Sequence, residues 1–313
     1  MTRRNFLLAS SFALPILSAC SKTDFKTLKI GYLPITDHLL VIAKEFKGSD
    51  FAPVKFSSWA DLSEAMQSKS IDGAFILTPL ALKLKSQGLD IKALLAAHRN
   101  GSALAIKKGL LKDKDITSLK GLKIAIPSRF STHYLLLANL LEKGNLSPKD
   151  IQIVDMAPTE MVYALTANSI DGFIVAEPFC IQAETTNVAD IFTLSHNIIN
   201  NHICCVLALQ NDIIAQKNES ITRLIGDFLA TADFIHKNPK EASNLSLKFF
   251  GHKKELIENL LAQDKRVIYE NLKLQESDLA RTLQDIKKYE IENFNIAYGD
   301  FVDSRFIDAH LKA

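Results

Sequence analysis

The sequence predicts an α/β protein of two lobes, each built on a parallel sheet, with a cleft between them. Short apolar runs of the β type alternate with helical patterns from residue 28 to about residue 210, which is typical of parallel sheets with helices packed on their faces. The two halves of this region resemble each other. The chain has 313 residues, of which 47% are hydrophobic, so it is long enough for about two domains with large cores.

The first half of this region contains four predicted strands with helices between them. The strands are expected at residues 28–33, 54–57, 72–77 and 91–96. The helices are expected at residues 36–46, 61–68 and 79–87. Gly88 follows the last of these helices, and glycine is favoured directly after a helix C-terminus.

The second half repeats this order, which predicts an internal duplication. Strands are expected at residues 122–126, 151–155 and 172–176, and helices at residues 132–143 and 159–167. The segment SIDGAFILTP lies 99 residues before SIDGFIVAEP, and five of the ten positions are identical. Asp-Gly turns are common in unrelated proteins, but here the preceding helix and the following proline match at the same spacing.

Two further strands connect the halves. They are expected at residues 102–107 and 203–209. This assigns residues 28–101 and 207–313 to lobe I and residues 102–206 to lobe II. Amphipathic helices are expected in the C-terminal segment at residues 219–236, 240–250, 253–263 and 277–288, and we expect them to pack onto lobe I.

The N-terminus has the pattern of an export signal. Two arginines precede an apolar run, and Leu-Ser-Ala-Cys20 follows it. The run is shorter than the about 20 apolar residues that a transmembrane helix needs, and its order is typical of a signal peptide. We expect a signal peptide at residues 1–19, lipidation of Cys20, a linker at residues 20–27 and a position on the periplasmic side of a bacterial membrane. A signal peptide with a coincidental cysteine is the alternative.

The charge balance argues against a nucleic-acid partner. The chain contains 37 Lys and Arg residues and 35 Asp and Glu residues. Arg3 and Arg4 lie in the predicted signal peptide, which has no acidic residue, so the rest of the chain is neutral. A neutral chain lacks the excess positive charge by which proteins bind a phosphate backbone.

Polar and aromatic side chains follow the predicted strands. In parallel α/β sheets this edge binds ligands, because helix N-termini there present free N–H groups. We therefore expect a ligand in the cleft between the lobes. The candidate ligand-binding residues are Asp37, His38, Trp59, Thr78, Asn100, Ser102, Ser131, Thr132, His133 and Glu177. Helix capping is an alternative role for Thr78 and Ser131, and anchoring at the lobe surface is one for Trp59.

Three cysteines follow Cys20, at Cys180, Cys204 and Cys205. Adjacent residues of a strand point to opposite faces, so at most one of the last two is expected to face Cys180. No Cys-x-x-Cys or Cys/His spacing typical of a metal site is present, and small buried side chains are the expected role. Nucleotide-binding, nucleophile-elbow and His-Glu-x-x-His motifs are also absent from the sequence, which favours binding over catalysis.

Several segments resemble the solute-binding proteins of the nitrate/sulfonate/bicarbonate (taurine) importer family. They are GYLPITDH at residues 31–38, VIAKE at 41–45, FSTH at 130–133, IDGF at 170–173, EPF at 177–179 and HICC at 202–205. The resemblance covers most of residues 28–210 and points to the nitrate- and bicarbonate-binding branch. Two positions depart from it, because Ser102 stands where nitrate-type members have Gln, and Ile203 stands where Pro is usual.

The resemblance implies a two-lobed fold of the periplasmic-binding-protein type II and a monomeric receptor that is not an enzyme. Such a receptor closes on a small anion and delivers it to the permease and ATPase subunits of an ABC importer. The residues implied to line the ligand site are Trp59, Asn100, Gly101, Ser102, Thr132, His133 and Glu177. In bicarbonate-type members the equivalent of Glu177 helps to bind Ca²⁺ beside the anion.

Two alternatives to an anion receptor stay open. A receptor for a thiamine-type pyrimidine precursor or another heteroaromatic compound would enclose the ring between Tyr32, Trp59 and Phe179. An enzyme on the same fold is the other alternative, against which the predicted lipidation of Cys20 argues.

Overall fold

The computed structural model describes residues 27–311. The predicted signal peptide and Cys20 lie outside the described residues. The described chain contains twelve strands: β1 (Leu28–Tyr32), β2 (Phe51–Lys55), β3 (Gly73–Leu77), β4 (Ile91–Ala96), β5 (Arg99–Asn100), β6 (Ser102–Lys107), β7 (Lys123–Ile126), β8 (Gln152–Asp155), β9 (Gly172–Ala176), β10 (Ala189–Leu194), β11 (Cys205–Gln210) and β12 (Val267–Ile268).

Helices connect these strands and form the C-terminal segment. The 3-10 helices are Thr36–Ile42, Ile116–Leu119 and Pro148–Asp150. The α-helices are α1 (Ala43–Phe46), α2 (Trp59–Gln67), α3 (Thr78–Ser86), α4 (Thr132–Lys143), α5 (Pro158–Thr166), α6 (Phe179–Thr185), α7 (Ser195–Ile198), α8 (Asn211–Gln216), α9 (Asn218–Lys237), α10 (Pro239–Phe250), α11 (Lys254–Leu261), α12 (Glu276–Lys288), α13 (Tyr298–Phe301) and α14 (Arg305–Leu311). None of the helices within residues 27–311 has both the length and the apolar character needed to cross a bilayer.

Two five-stranded sheets form the cores of two lobes. The strand order is β2-β1-β3-β11-β4 in lobe I and β8-β7-β9-β6-β10 in lobe II. Four strands of each sheet run in the same direction, whereas β11 and β6 run antiparallel to both of their neighbours. The predicted α/β class is confirmed. Each sheet is mixed rather than parallel, because the strand that arrives from the other lobe enters the sheet in the opposite direction.

The largest differences from the predicted strands are at β2 and β10, which are both edge strands. β2 begins at Phe51 rather than at residue 54 and includes Pro53. It is an edge strand, where the missing N–H of a proline can face outward without breaking a ladder. The edge strand β10 was not predicted, because Asp190 and an irregularity between Ile191 and Thr193 interrupt its apolar pattern.

The aspartate of the repeated Ser-Ile-Asp-Gly segment has the same role in both lobes. Asp72 Oδ2 accepts a hydrogen bond of 2.7 Å from the Lys29 N–H, at the start of β1. Asp171 Oδ2 accepts one of 2.8 Å from the Lys123 N–H, at the start of β7. The side chain therefore continues the pairing of two parallel strands beyond the ladder.

The glycine of the same segment allows close approach of the antiparallel strand. A Cβ on Gly73 would lie 2.6 Å from the carbonyl oxygen of Ala208 in β11. A Cβ on Gly172 would lie 2.7 Å from the carbonyl oxygen of Ala105 in β6. The glycine of the repeated motif is therefore needed for the packing of the antiparallel strand that arrives from the other lobe (β11 in lobe I and β6 in lobe II), which we call the crossover strand.

The C-terminal segment packs onto both lobes rather than onto lobe I alone. α9 and α10 pack against the first 3-10 helix of lobe I, whereas α11 contacts α6 of lobe II. α12 lies between α3 of lobe I and α4 of lobe II. Ion pairs join this segment to the interlobe region, from Arg266 to Glu177 and from Asp278 to Arg99. The segment therefore ties the two lobes together.

Candidate functional site

The ten candidate residues are all buried, and several of them lie where the lobes meet. The Thr36 N–H and hydroxyl of lobe I donate to the Glu177 carbonyl oxygen of lobe II, at 2.8 and 3.1 Å. The hydroxyls of Thr78 and Thr132, which begin helices in different lobes, both donate to the Cys204 carbonyl oxygen, at 3.0 and 3.3 Å. The lobes are thus in contact around a polar centre.

His38 and Trp59 form a buried pair in lobe I. The Leu33 N–H donates to His38 Nδ1 at 2.8 Å, so the proton of the neutral ring is on Nε2. Burial, together with the nearby His98, lowers the pKa of His38 to about 3, and the ring is neutral at pH 7. The ring centroids of His38 and Trp59 are 5.6 Å apart. Neither His38 Nε2 nor Trp59 Nε1 has a hydrogen-bond partner within the described chain, so both are buried N–H donors without a partner there.

A groove of about 440 Å³ opens between the lobes beside Trp59. Ser58 and Lys83 line it from lobe I, and Ser128 and Asp155 line it from lobe II. The N-terminal ends of α2 and α5, which follow equivalent strands of the two halves, also border the groove. Free N–H groups and the positive ends of helix dipoles favour a negatively charged ligand.

A second group of buried side chains lies between the lobes, and we refer to it as the Asp-His-Cys-Cys cluster. Its members are Asp37, His98, Cys204 and Cys205, and one potential ligand atom from each lies within 4.8 Å of the others. Asp37 Oδ2 is 3.0 Å from His98 Nε2 and 3.7 Å from Cys205 Sγ. All four residues have no exposed surface.

The ionisable groups of this cluster influence each other strongly. Burial raises the pKa of Asp37 to about 7, although the nearby His98 opposes this shift. Burial lowers the pKa of His98, but the charge and hydrogen bond of Asp37 outweigh it and raise that pKa to about 10. Burial also raises the pKa of Cys205 well above its usual value, whereas interactions with Cys205 and His133 outweigh burial and lower the pKa of Cys204.

His133 and Gly101 border the cluster. His133 Nε2 lies 3.0 Å from Ser102 Oγ and 3.9 Å from Cys204 Sγ. Gly101 has a φ of 85°, and a Cβ there would lie 2.9 Å from the ring of His98 and 3.0 Å from Asp37 Oδ1. Glycine is therefore needed at this position for both its backbone conformation and its size.

Glu177 is engaged by Arg266 from the C-terminal segment. Arg266 Nε donates to Glu177 Oε1 at 2.7 Å, and the Ile181 N–H donates to Oε2 at 2.9 Å. Burial raises the pKa of Glu177, and Arg266 opposes this shift. In this arrangement both carboxylate oxygens accept hydrogen bonds, and the Arg266 guanidinium lies against them. Calcium binding at Glu177 stays a prediction.

Two other candidate residues make contacts that support the fold. Asn100 has a φ of 60°, and its Nδ2 donates to the Lys265 carbonyl oxygen at 3.0 Å. Ser131 is the N-cap of α4, where its hydroxyl accepts the Tyr134 N–H at 3.1 Å. Capping, the alternative role for Ser131, is thus present.

The cysteines of the cluster were missed as candidate site residues. Neither cysteine is grouped with Cys180, in agreement with the expectation that at most one of them faces it. The sulfur atoms of Cys204 and Cys205 lie in one cluster, however, so the two side chains do not point to opposite faces. β11 begins at Cys205, and Cys204 lies before the strand, where strict alternation does not apply. The Cys180 thiol lies apart and donates to the Ala103 carbonyl oxygen at 3.2 Å.

His98 and Arg266 were also absent from the candidate residues. His98 follows a predicted strand like the other candidates, and this position is the signal that could have identified it. Arg266 lies far along the chain from Glu177, and no local pattern joins them. The tertiary fold alone brings this pair together.

The fold and the site can be compared with known proteins. The sequence profile of the NMT1-like family matches residues 21–247, well over half of the chain. This chain belongs to the NMT1-like family. The resemblance to solute-binding proteins of nitrate/sulfonate importers is also confirmed by similar sequences and structures.

One protein of similar sequence and two proteins of similar structure are compared with this NMT1-like chain. The nitrate import ATP-binding protein NrtC of Synechocystis sp. (strain ATCC 27184 / PCC 6803 / Kazusa) is 28% identical over 233 residues, which are 66% of this chain and 34% of that one. The ligand binding component of an ABC-type import system from Staphylococcus aureus, with zinc bound, has a TM-score of 0.82 and 28% identity, covering 90% of this chain and 97% of that one. The periplasmic nitrate-binding protein NrtA from Synechocystis PCC 6803 has a TM-score of 0.80 and 18% identity, covering 91% of this chain and 88% of that one.

These comparisons confirm the two-lobed fold of periplasmic solute-binding proteins. At 18% identity the likeness to NrtA shows the fold alone. The NMT1-like chain spans about a third of the length of NrtC, so the activity of that whole protein is not carried over to it.

Proposed function

We propose that this NMT1-like chain is the solute-binding component of an ABC importer and that it captures a small anion of the nitrate, bicarbonate or sulfonate class between its lobes. It is held through a lipid on Cys20 at the periplasmic side of a bacterial membrane. It acts as a monomer and delivers its solute to permease and ATPase subunits, without catalysing a reaction. The similar proteins, which are an ATP-binding protein of nitrate import, a ligand binding component of an ABC-type import system and a nitrate-binding protein, support this proposal.

One observation carries the choice of an anion, namely the two unpartnered donors of Trp59 and His38. A buried N–H without a hydrogen-bond partner costs about 1–3 kcal/mol. A ligand with acceptor oxygens removes this cost when it binds, so these two donors favour such a ligand. In the adjoining groove the charge of Lys83 balances that of Asp155, and two helix N-termini stabilise negative charge.

The buried carboxylates of the region do not oppose an anion as free charges. Asp37 lies 3.0 Å from His98, and Glu177 lies 2.6 Å from Arg266. Each of these two buried carboxylates is thus paired with a cationic side chain, His98 or Arg266. Closure of the lobes also excludes water from the groove, which strengthens the remaining hydrogen bonds.

Thermal unfolding of the full chain with separate ligands tests this proposal. Nitrate, bicarbonate, a short alkyl sulfonate and an aminopyrimidine form the main arms, and Zn²⁺ is included because the Staphylococcus aureus structure contains zinc. An anion at 100 times its Kd adds about 2.7 kcal/mol of stability. Trp59→Phe keeps an aromatic ring and removes the N–H, and we expect it to weaken anion binding by about tenfold or more.

The control for this experiment is Tyr163→Phe, which removes a polar group from a side chain that is 76% exposed. It should bind the anion as the unaltered chain does. Stabilisation by the pyrimidine and by no anion would identify the heteroaromatic alternative. Equal anion affinity in Trp59→Phe and the unaltered chain would remove Trp59 from the site.

A further inference from the structure

We propose that the Asp-His-Cys-Cys cluster binds a thiophilic divalent metal ion and that Zn²⁺ is the ion it fits best. The ligands would be Asp37, His98, Cys204 and Cys205. This inference goes beyond the proposed function, because the donors assigned to the anion, Trp59 and His38, are not among these four residues. It therefore stands or falls independently of the anion.

The spacing of the four ligand atoms is close to that of a tetrahedral site. At bond lengths of about 2.0–2.3 Å, the ligand atoms around Zn²⁺ lie roughly 3.3–3.8 Å apart. The four atoms here lie within 4.8 Å of one another, and Asp37 Oδ2 is already 3.0 Å from His98 Nε2 and 3.7 Å from Cys205 Sγ. Side-chain movements of about 1 Å would bring all four to a common centre.

Unsatisfied polar atoms in the cluster are a second, independent observation. Asp37 Oδ1 and His98 Nδ1 have no hydrogen-bond partner within the described chain, whereas His98 Nε2 lies 3.0 Å from Asp37 Oδ2. Both side chains are fully buried. Buried polar atoms are almost always paired in native proteins, so the lack of partners points to a ligand at this position. A metal ion would satisfy the carboxylate and the imidazole together.

The donor set selects the class of ion. Two thiols and an imidazole are soft or intermediate ligands that suit zinc, whereas Mg²⁺ and Ca²⁺ prefer sites made of oxygen atoms. Only Asp37 offers oxygen in this cluster. Each thiol that binds the ion releases its proton to solvent, and the protonated imidazole of His98 releases one as well, because the thiolate and the neutral imidazole are the forms that coordinate metal.

The fold places the ligands at both connections between the lobes. His98 lies just before the first crossing, which leads into β6, and Cys204 and Cys205 lie at the second crossing, which leads into β11. Asp37 comes from the 3-10 helix after β1. A metal ion here would therefore join the two crossover segments, which are the hinges available to a two-lobed protein.

Metal retention by the full chain tests the inference. The protein is purified with a non-thiol reductant, freed of metal and dialysed separately against Zn²⁺, Mg²⁺ and Ca²⁺, and bound metal is then measured by mass spectrometry. We expect one Zn²⁺ ion per chain and no retained Mg²⁺ or Ca²⁺. With Co²⁺ in place of Zn²⁺, we expect the absorption spectrum to show a thiolate-to-cobalt charge-transfer band in the near ultraviolet.

Three variants locate the ion. Cys205→Ser and Asp37→Asn should each lower the affinity for Zn²⁺ by at least about tenfold. Cys180→Ser is the matched control, because that thiol is equally buried but lies outside the cluster, and it should bind zinc as the unaltered chain does. Circular dichroism confirms that each variant is folded, and Asp37→Asn serves if the cysteine variant does not fold.

Several results would overturn the inference. They are the absence of retained zinc, an affinity that is the same in all three variants, and a Cys204–Cys205 disulfide that persists under the reductant. Failure of anion binding in the same preparations would contradict the proposed function alone, so the two proposals can be distinguished.

Discussion

The two lobes share one architecture and differ at the ends of its strands. Both sheets have the same strand order, with the antiparallel crossover strand in the same place. Directly after the repeated strand, lobe I has Thr78 and lobe II has Glu177. The Thr78 hydroxyl makes one hydrogen bond to a carbonyl oxygen, whereas Glu177 forms a buried ion pair with Arg266. The duplicated interior is the same in both lobes, whereas the residues after the strands differ and include those of the candidate site.

The first histidine of each half shows the same divergence. His38 accepts a backbone N–H and packs against Trp59. His133, at the equivalent place in lobe II, contacts Ser102 and the thiol of Cys204. The histidine at this position of the repeat therefore makes different contacts in the two lobes.

The largest expected effect compares Glu177→Ala with Thr78→Ala. Removing Glu177 leaves the guanidinium of Arg266 buried without its main partner, and breaking such a pair costs about 3–5 kcal/mol. Thr78→Ala removes one hydrogen bond and should cost about 1 kcal/mol. Urea unfolding followed by circular dichroism measures both free energies.

Glu184→Ala is the control for this pair of variants. Glu184 also pairs with Arg266, at 3.3 Å, but its side chain is 44% exposed. An exposed pair contributes about 1 kcal/mol or less, so this variant should resemble the unaltered chain. If Glu177→Ala lowers the free energy of unfolding no more than Thr78→Ala does, the proposed energetic difference between these two strand ends is wrong.

The sequence predicted most of the architecture because that information is local. Apolar periodicity identified most strands of both sheets, and the bounds of β4, β6 and β9 are the predicted ones. The duplicated Asp-Gly segment was visible because it depends on contacts that recur in each half. The polar ends of the strands were also visible, which is why ten buried residues could be chosen as candidates.

The Asp-His-Cys-Cys cluster could not be predicted in the same way. Asp37, His98 and Cys204 are distant in sequence, and each has an ordinary local environment. They meet because the chain crosses twice between the lobes, which periodicity does not encode. The role of Arg266 was hidden for a similar reason, since the C-terminal helices were expected on lobe I alone.

A second prediction concerns the glycines that the repeat has in common. Gly73→Ala and Gly172→Ala each place a methyl group less than 3 Å from a backbone carbonyl oxygen of the crossover strand. Overpacking of this kind costs about 1–3 kcal/mol, and the loss should be similar in both lobes. Gly299→Ala is the control, because a Cβ there meets no atom within 4 Å. Equal stability of all three variants would show that the crossover strands can move apart.

The smallest expected effect concerns the aspartates of the same segment. Asp72→Asn and Asp171→Asn keep an oxygen that can accept the N–H of Lys29 or Lys123, but they remove the negative charge. A hydrogen bond to a charged group stabilises by about 1.5–3 kcal/mol and one to a neutral group by about 0.5–1.5 kcal/mol. We therefore expect a loss of about 1 kcal/mol at each site, measured by urea unfolding.

The control for the aspartates is Asp264→Asn, in an exposed loop of the C-terminal segment, which should leave the free energy of unfolding unchanged. If Asp72→Asn and Asp171→Asn lose the same amount, the two halves use this contact equally. A loss of stability in only one of the two variants would mean that the aspartate stabilises only that lobe. The two lobe interiors would then be equivalent in strand order but not in this contact.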